Sequence, residues 1–93
     1  MTSTFETVTE ILSSLTDLGP EEIKLESHIG NDLDIDSLDF LDAIFEIDKT
    51  FDIQIPYEKW MEEVNQGGAP TEKYFVLKNL CEQIDQFVEA KAA

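Results

Sequence analysis

Apolar residues in this chain recur every three or four positions, in blocks cut apart by glycine and proline. That period puts the apolar side chains of each block on one face of an α-helix. Phe5, Val8, Ile11, Leu12 and Leu15 form the first block, and "LGP" at 18–20 ends it. Ser3 and Glu6 fit a capping box at its start. Residues 19–35 show no long period and read as a loop, with room for a short helical turn at "PEEI". A second helix is expected to begin after Asp36, a good N-cap with Asp39 in the first turn, and to run to about Phe51.

"DIQIP" is too short, and too close to its proline, to stand as an independent sheet. A short third helix after Pro56 carries Tyr57, Trp60, Met61 and Val64, and "NQGGAP" at 65–70 stops it. Thr71 is then expected to cap a last helix, with Leu77, Leu80, Cys81, Ile84, Phe87 and Val88 on one face. The expectation is an all-α four-helix bundle of three longer helices and one short one, forming a single domain over 1–93.

The charge balance narrows the partners. Twenty-one Asp and Glu face six Lys and no Arg, a net charge of -15. Such a field repels nucleic acid and anionic membrane surfaces and attracts basic protein patches. Cys81 is the sole cysteine, so the chain has no internal disulfide and no thiol cluster for zinc. It lies on the apolar face of the last helix and reads as a buried structural thiol. "MTSTFETVTE" has neither the basic region nor the apolar run of a leader, and no apolar stretch approaches a membrane span. A cytoplasmic protein with no stable membrane insertion is expected.

The stretch "NDLDIDSLDF" at 31–40 sets several aspartates around one serine. A calcium loop starting at Asp32 would place acids at Asp32, Asp34 and Asp36. It fails at Ser37, where the turn requires glycine, and at Ala43, where a bidentate glutamate is required. No specific metal site follows, and a calcium-responsive module is the weakest of the readings. Nor is Ser37 a nucleophile. Its one candidate base, His28, lies upstream in a loop and reads as a packed or solvated residue, and no G-x-S-x-G elbow surrounds the serine.

Along the second helix, Phe40, Leu41, Ile44, Phe45, Ile47 and Phe51 form a broad apolar arc centred near Ser37. Asp39, Asp42, Glu46 and Lys49 take the other side. Asp48 lands inside the apolar arc, and nothing in the pattern accounts for it.

With the serine framed in this way, "DLDIDSLDFLDAIFEIDKTFDIQIP" resembles the acyl carrier protein family. The hallmark D-S-L is Asp36, Ser37 and Leu38, opening the second helix of a four-helix bundle. The resemblance implies a carrier rather than an enzyme. A phosphopantetheinyl transferase would attach 4'-phosphopantetheine to Ser37, and acyl groups would ride on the arm as thioesters. It also implies a docking face of Asp36, Leu38, Asp39, Asp42 and Glu46, read by fatty acid synthesis enzymes, on a monomeric carrier.

The long stretch "YEKWMEEVNQGGAPTEKYFVLKNLCEQID", and "EKYFVLKNLC" above all, resembles a specialised branch of the family, the AcpXL carriers. Those carry very-long-chain hydroxylated fatty acids to an acyltransferase of lipid A synthesis. A carrier of general fatty acid or polyketide synthesis is the alternative. If a long chain enters the core, Leu41, Ile44, Phe45, Ile55, Trp60 and Leu77 are the expected lining; ordinary core packing would use the same residues. Asp34 and Asp52 stand where ordinary carriers commonly have glycine.

Overall fold

The computed structural model describes residues 3–92, so Met1, Thr2 and Ala93 of the expected domain 1–93 lie outside the described residues. Five α-helices follow in order: α1 (Thr4–Leu15), α2 (Ser37–Phe51), α3 (Tyr57–Asn65), α4 (Glu72–Phe75) and α5 (Leu77–Ala92). A 3-10 turn at Pro20–Glu22 sits at the expected "PEEI". Among the described residues no strand forms; one isolated antiparallel bridge joins His28 to Val76. No described helix is long and apolar enough to cross a membrane.

α1 packs on both α2 and α5, and α5 on α4. The core they enclose centres on Val8, Leu12, Ile29, Ile44, Ile47, Leu77, Leu80 and Ile84, all essentially sealed from water. Burying such a side chain contributes about 1.5–3 kcal/mol, which is how a domain this small holds together. The caps are local. Ser3 accepts the Glu6 N–H, and Asp36 accepts the Asp39 N–H at 2.8 Å. At the end of α3, Gly67 adopts φ +76, which lets Gly67 N–H reach Val64 O and Gly68 N–H reach Glu63 O.

The expected last helix from Thr71 is broken in two. Val76 is extended (φ -78, ψ 129), and Thr71 is already helical and caps nothing with its side chain. The break is held from outside the segment. Ile29 N–H donates to Phe75 O at 2.8 Å and Leu77 N–H to Ser27 O at 2.9 Å. A β-branched residue suits that extended position. The Thr71 hydroxyl instead meets His28 Nε2 at 3.1 Å.

Asp48 has an account in the structure. Its carboxylate accepts the Ile55 N–H at 3.0 Å and so ties the α2–α3 loop to α2. Burial pushes this carboxyl above its usual range, and that hydrogen bond offsets part of the push. Asp34 and Asp52, at the two positions read as glycine replacements, both take left-handed backbone, with φ 53 and φ 55. That conformation is free of steric cost only for glycine, and aspartate is among the residues that tolerate it.

Candidate functional site

Ser37 is the first residue of α2, and its side chain is exposed. It sits one step after the Asp36 cap, so its hydroxyl stands at the positive end of the helix, with acidic neighbours in Asp36 and Asp39. A cavity of about 110 Å³ opens there. Ser37 and Asp36 stand at its mouth, and Ile29, Ile35, Phe40, Tyr57, Met61 and Phe75 supply its apolar walls. Phe40 meets Phe75 edge-on at 5.0 Å and Tyr57 at 5.7 Å between ring centroids. Burial raises the Tyr57 phenol above its ordinary pKa, so it stays neutral against this wall.

The loop that forms the opposite lip is organised by His28, which is buried. Its Nδ1 accepts the N–H groups of Gly30 (3.1 Å) and Asn31 (3.0 Å). The ring proton is therefore assigned to Nε2, which donates to Thr71 Oγ1. His28 N–H in turn donates to Asp32 Oδ2 at 2.7 Å, and the ring stands edge-on to Phe75. His28 is thus a packed residue that joins the loop before Ser37 to the link before α5. Asp32 and Asp36, two of the acids that fit a calcium loop in outline, each accept a backbone amide.

The expected cavity residues are not the walls of this cavity. Leu41, Ile44, Phe45 and Ile55 line a neighbouring surface groove between α2 and α3, of about 550 Å³, that shares Tyr57 with the cavity. Phe45 is 60% exposed, which removes it from the interior. Trp60 and Leu77 are buried, as are Ile44 and Ile55. Trp60 stacks flat on Tyr74, with centroids 4.4 Å apart and rings 9° from parallel, and Tyr74 donates to Glu63 Oε2 at 2.6 Å. Trp60 therefore pins α3 to α4 and is core.

The broad apolar arc of α2 resolves into two stripes. Phe40, Ala43, Ile44 and Ile47 face the core, and Leu38 and Phe45 are exposed, with half-buried Leu41 between them. At about 100° per residue, Ser37 falls on the boundary between the stripes. Leu38, at 73% exposure, belongs to the outer stripe, as do exposed Asp42 and Glu46 beside it; Asp36 is exposed and Asp39 half-buried near the serine. Sequence reasoning missed all six apolar walls, Ile29, Ile35, Phe40, Tyr57, Met61 and Phe75, because contacts between segments distant in sequence assemble them. Cys81 is buried, and burial followed by Asp85 and Glu82 pushes its thiol up to about 11. It is inert at neutral pH.

The arrangement fits a covalent arm. The serine hydroxyl is open to an incoming reagent, the helix end favours the charge of a phosphodiester, and an apolar hollow lies within reach of what such an arm carries. The comparisons with known proteins agree. The phosphopantetheine attachment site family matches residues 6–64. The acyl carrier protein AcpXL of Brucella melitensis is 55% identical over 91 residues, covering 98% of this chain and 98% of its own. AcpXL of Rhizobium meliloti is 54% identical over 92 residues, 99% of this chain and 97% of its own. An acyl carrier protein of Amoebophilus asiaticus is 36% identical over 76 residues, 82% of this chain and 91% of its own. The chain belongs to the acyl carrier protein family, in which a covalent 4'-phosphopantetheine arm carries acyl groups and the protein serves acyl-handling enzymes without being a catalyst itself.

Proposed function

We propose that Ser37 bears the 4'-phosphopantetheine arm and that the cargo is a very-long-chain hydroxylated acyl group bound for lipid A. The observation that carries the first half is the exposed Ser37 hydroxyl at the α2 start, at the mouth of an apolar cavity. The second half rests on the near full-length likeness to AcpXL carriers. The arm would supply a flexible tether and a thiol for thioester chemistry. The protein's own residues present the hydroxyl, fix the helix that bears it and offer apolar surface on both sides of it.

A phosphopantetheinyl transferase loads the arm, enzymes of fatty acid synthesis extend the chain, and an acyltransferase of lipid A synthesis receives it, all in the cytoplasm with the carrier as a monomer. These partners read Asp36, Leu38, Asp39, Asp42 and Glu46. The exposed Leu38 and Phe45, with exposed Asp42 and Glu46 beside them on α2, suit partners with an apolar anchor among basic side chains. Carriage of shorter chains for general fatty acid synthesis is the second reading, favoured by the small size of the cavity.

The test incubates the protein with coenzyme A and a phosphopantetheinyl transferase and reads intact mass. One arm is expected on the wild type and none on Ser37→Ala; an arm on the variant would end the assignment to Ser37. The acyl mass on protein isolated from its own cell then separates a very-long hydroxylated chain from an ordinary one.

A further inference from the structure

We infer that Phe75 is the residue that sets how long an acyl chain can enter the protein from Ser37. The inference rests on the proposed attachment of the arm to Ser37 and goes beyond it by naming what limits the cargo.

A cavity of about 110 Å³ is small. An apolar cavity of about 150 Å³ holds a benzene ring. The hollow beside Ser37 therefore fills after a few methylenes, and anything longer meets its walls. The core beside it is buried: Leu77, Tyr74 and Trp60 are all at 4% exposure or less. A longer chain can enter the core only if a wall yields.

Phe40, Met61 and Phe75 differ in how they can yield. Phe40 is 4% exposed in the body of α2, so moving it opens the core itself. Met61 is half-buried and unbranched, so it adapts to a chain without stopping it. Phe75 is rigid, half-buried and held edge-on against both Phe40 and His28. Its backbone is fixed at both polar groups, since its N–H donates to Thr71 O at 2.9 Å and its carbonyl accepts from Ile29 N–H at 2.8 Å. Half-buried, the ring has a solvent side to move to that the Phe40 ring lacks. A stiff wall on a fixed hinge is what a length limit requires. The break between α4 and α5, which the helical period does not anticipate, is the element that puts it there.

The experiment loads octanoyl and palmitoyl arms onto the wild type, Phe75→Ala, Phe75→Leu and Phe75→Trp by transfer from the acyl coenzyme A. Intact mass is checked first, then the rate of thioester cleavage by hydroxylamine and the unfolding midpoint of each acylated form. Phe75→Ala is expected to slow cleavage of the palmitoyl thioester by about tenfold for every two methylenes newly admitted, with the octanoyl form little changed. Phe75→Leu keeps the segment apolar and is expected to shift the profile the same way by less, so it reads the effect if the alanine variant does not fold. Phe75→Trp is expected to expose both chains. Folded variants with the wild-type dependence on chain length would overturn the role of Phe75 and leave the attachment to Ser37 intact. A protein that accepts no arm on Ser37 would overturn both.

Discussion

The two sides of the Ser37 cavity are built by opposite means. On the α2 side, cap, dipole and period are local: Asp36 caps, Ser37 follows, and the apolar positions repeat as a helix requires. On the other side, the link from Gln66 to Val76 takes its shape from residues remote in sequence. His28 reaches Thr71, Ile29 and Ser27 hold Phe75 and Leu77, and Trp60 stacks on Tyr74. The hydroxyl is thus set by a rigid helix, and the chain-facing wall by a strap whose anchors can be altered one at a time.

Two aromatic truncations expose the contrast most strongly. Trp60→Ala removes a buried ring and its stacking partner's support, and is expected to cost about 3–5 kcal/mol. Phe45→Ala, on the exposed stripe of α2, is expected to change stability by no more than about 0.5 kcal/mol. Urea unfolding of both variants checks the pair. A large loss from Phe45→Ala would mean that the outer stripe is part of the core after all.

Phe45 also shows where sequence reading reached its limit. Helical period places residues on a face, and the apolar face of α2 is wide enough for two jobs. Which half is buried is decided by the elements that arrive from elsewhere in the chain, α1 along with Tyr57 and Phe75. The start of α2 was legible because Asp36, Ser37 and Asp39 act on one another within a single turn. The break at Val76 was not, because its hydrogen-bond partners lie in the loop before α2 and no local breaker marks the position. The left-handed turns at Asp34 and Asp52 were visible only as departures from a family pattern, and the backbone angles supply their reason.

His28 is the next point of attack, since it ties the loop before α2 to the strap. His28→Ala leaves the Gly30 and Asn31 N–H groups without their acceptor and Thr71 without its partner. The expected loss is about 1–3 kcal/mol. Faster amide exchange should appear at Gly30, Asn31 and Leu77, with the first turns of α2 unchanged. Equal loosening of α2 and the strap would show that the two sides unfold as one unit rather than resting on separate supports.

The smallest effect tests the loop that leads into α2. Asp34 holds φ 53 and borders a polar hollow with Asp17, Glu22 and Asp39. Asp34→Gly removes the steric cost of that conformation and one of four neighbouring negative charges, against the greater flexibility of glycine when unfolded. The net expectation is a gain of up to about 1 kcal/mol. The two contributions can be separated. Asp34→Asn removes the charge and keeps a side chain tolerated at positive φ. Salt screens the charge contribution and leaves the backbone one untouched. If charge dominates, the asparagine and glycine variants gain alike at low salt and both gains fade as salt is added. If backbone strain dominates, only glycine gains, and its gain survives salt. A loss of more than about 1 kcal/mol in the glycine variant would rule out both, and would make the Asp34 carboxylate a structural ligand of the loop.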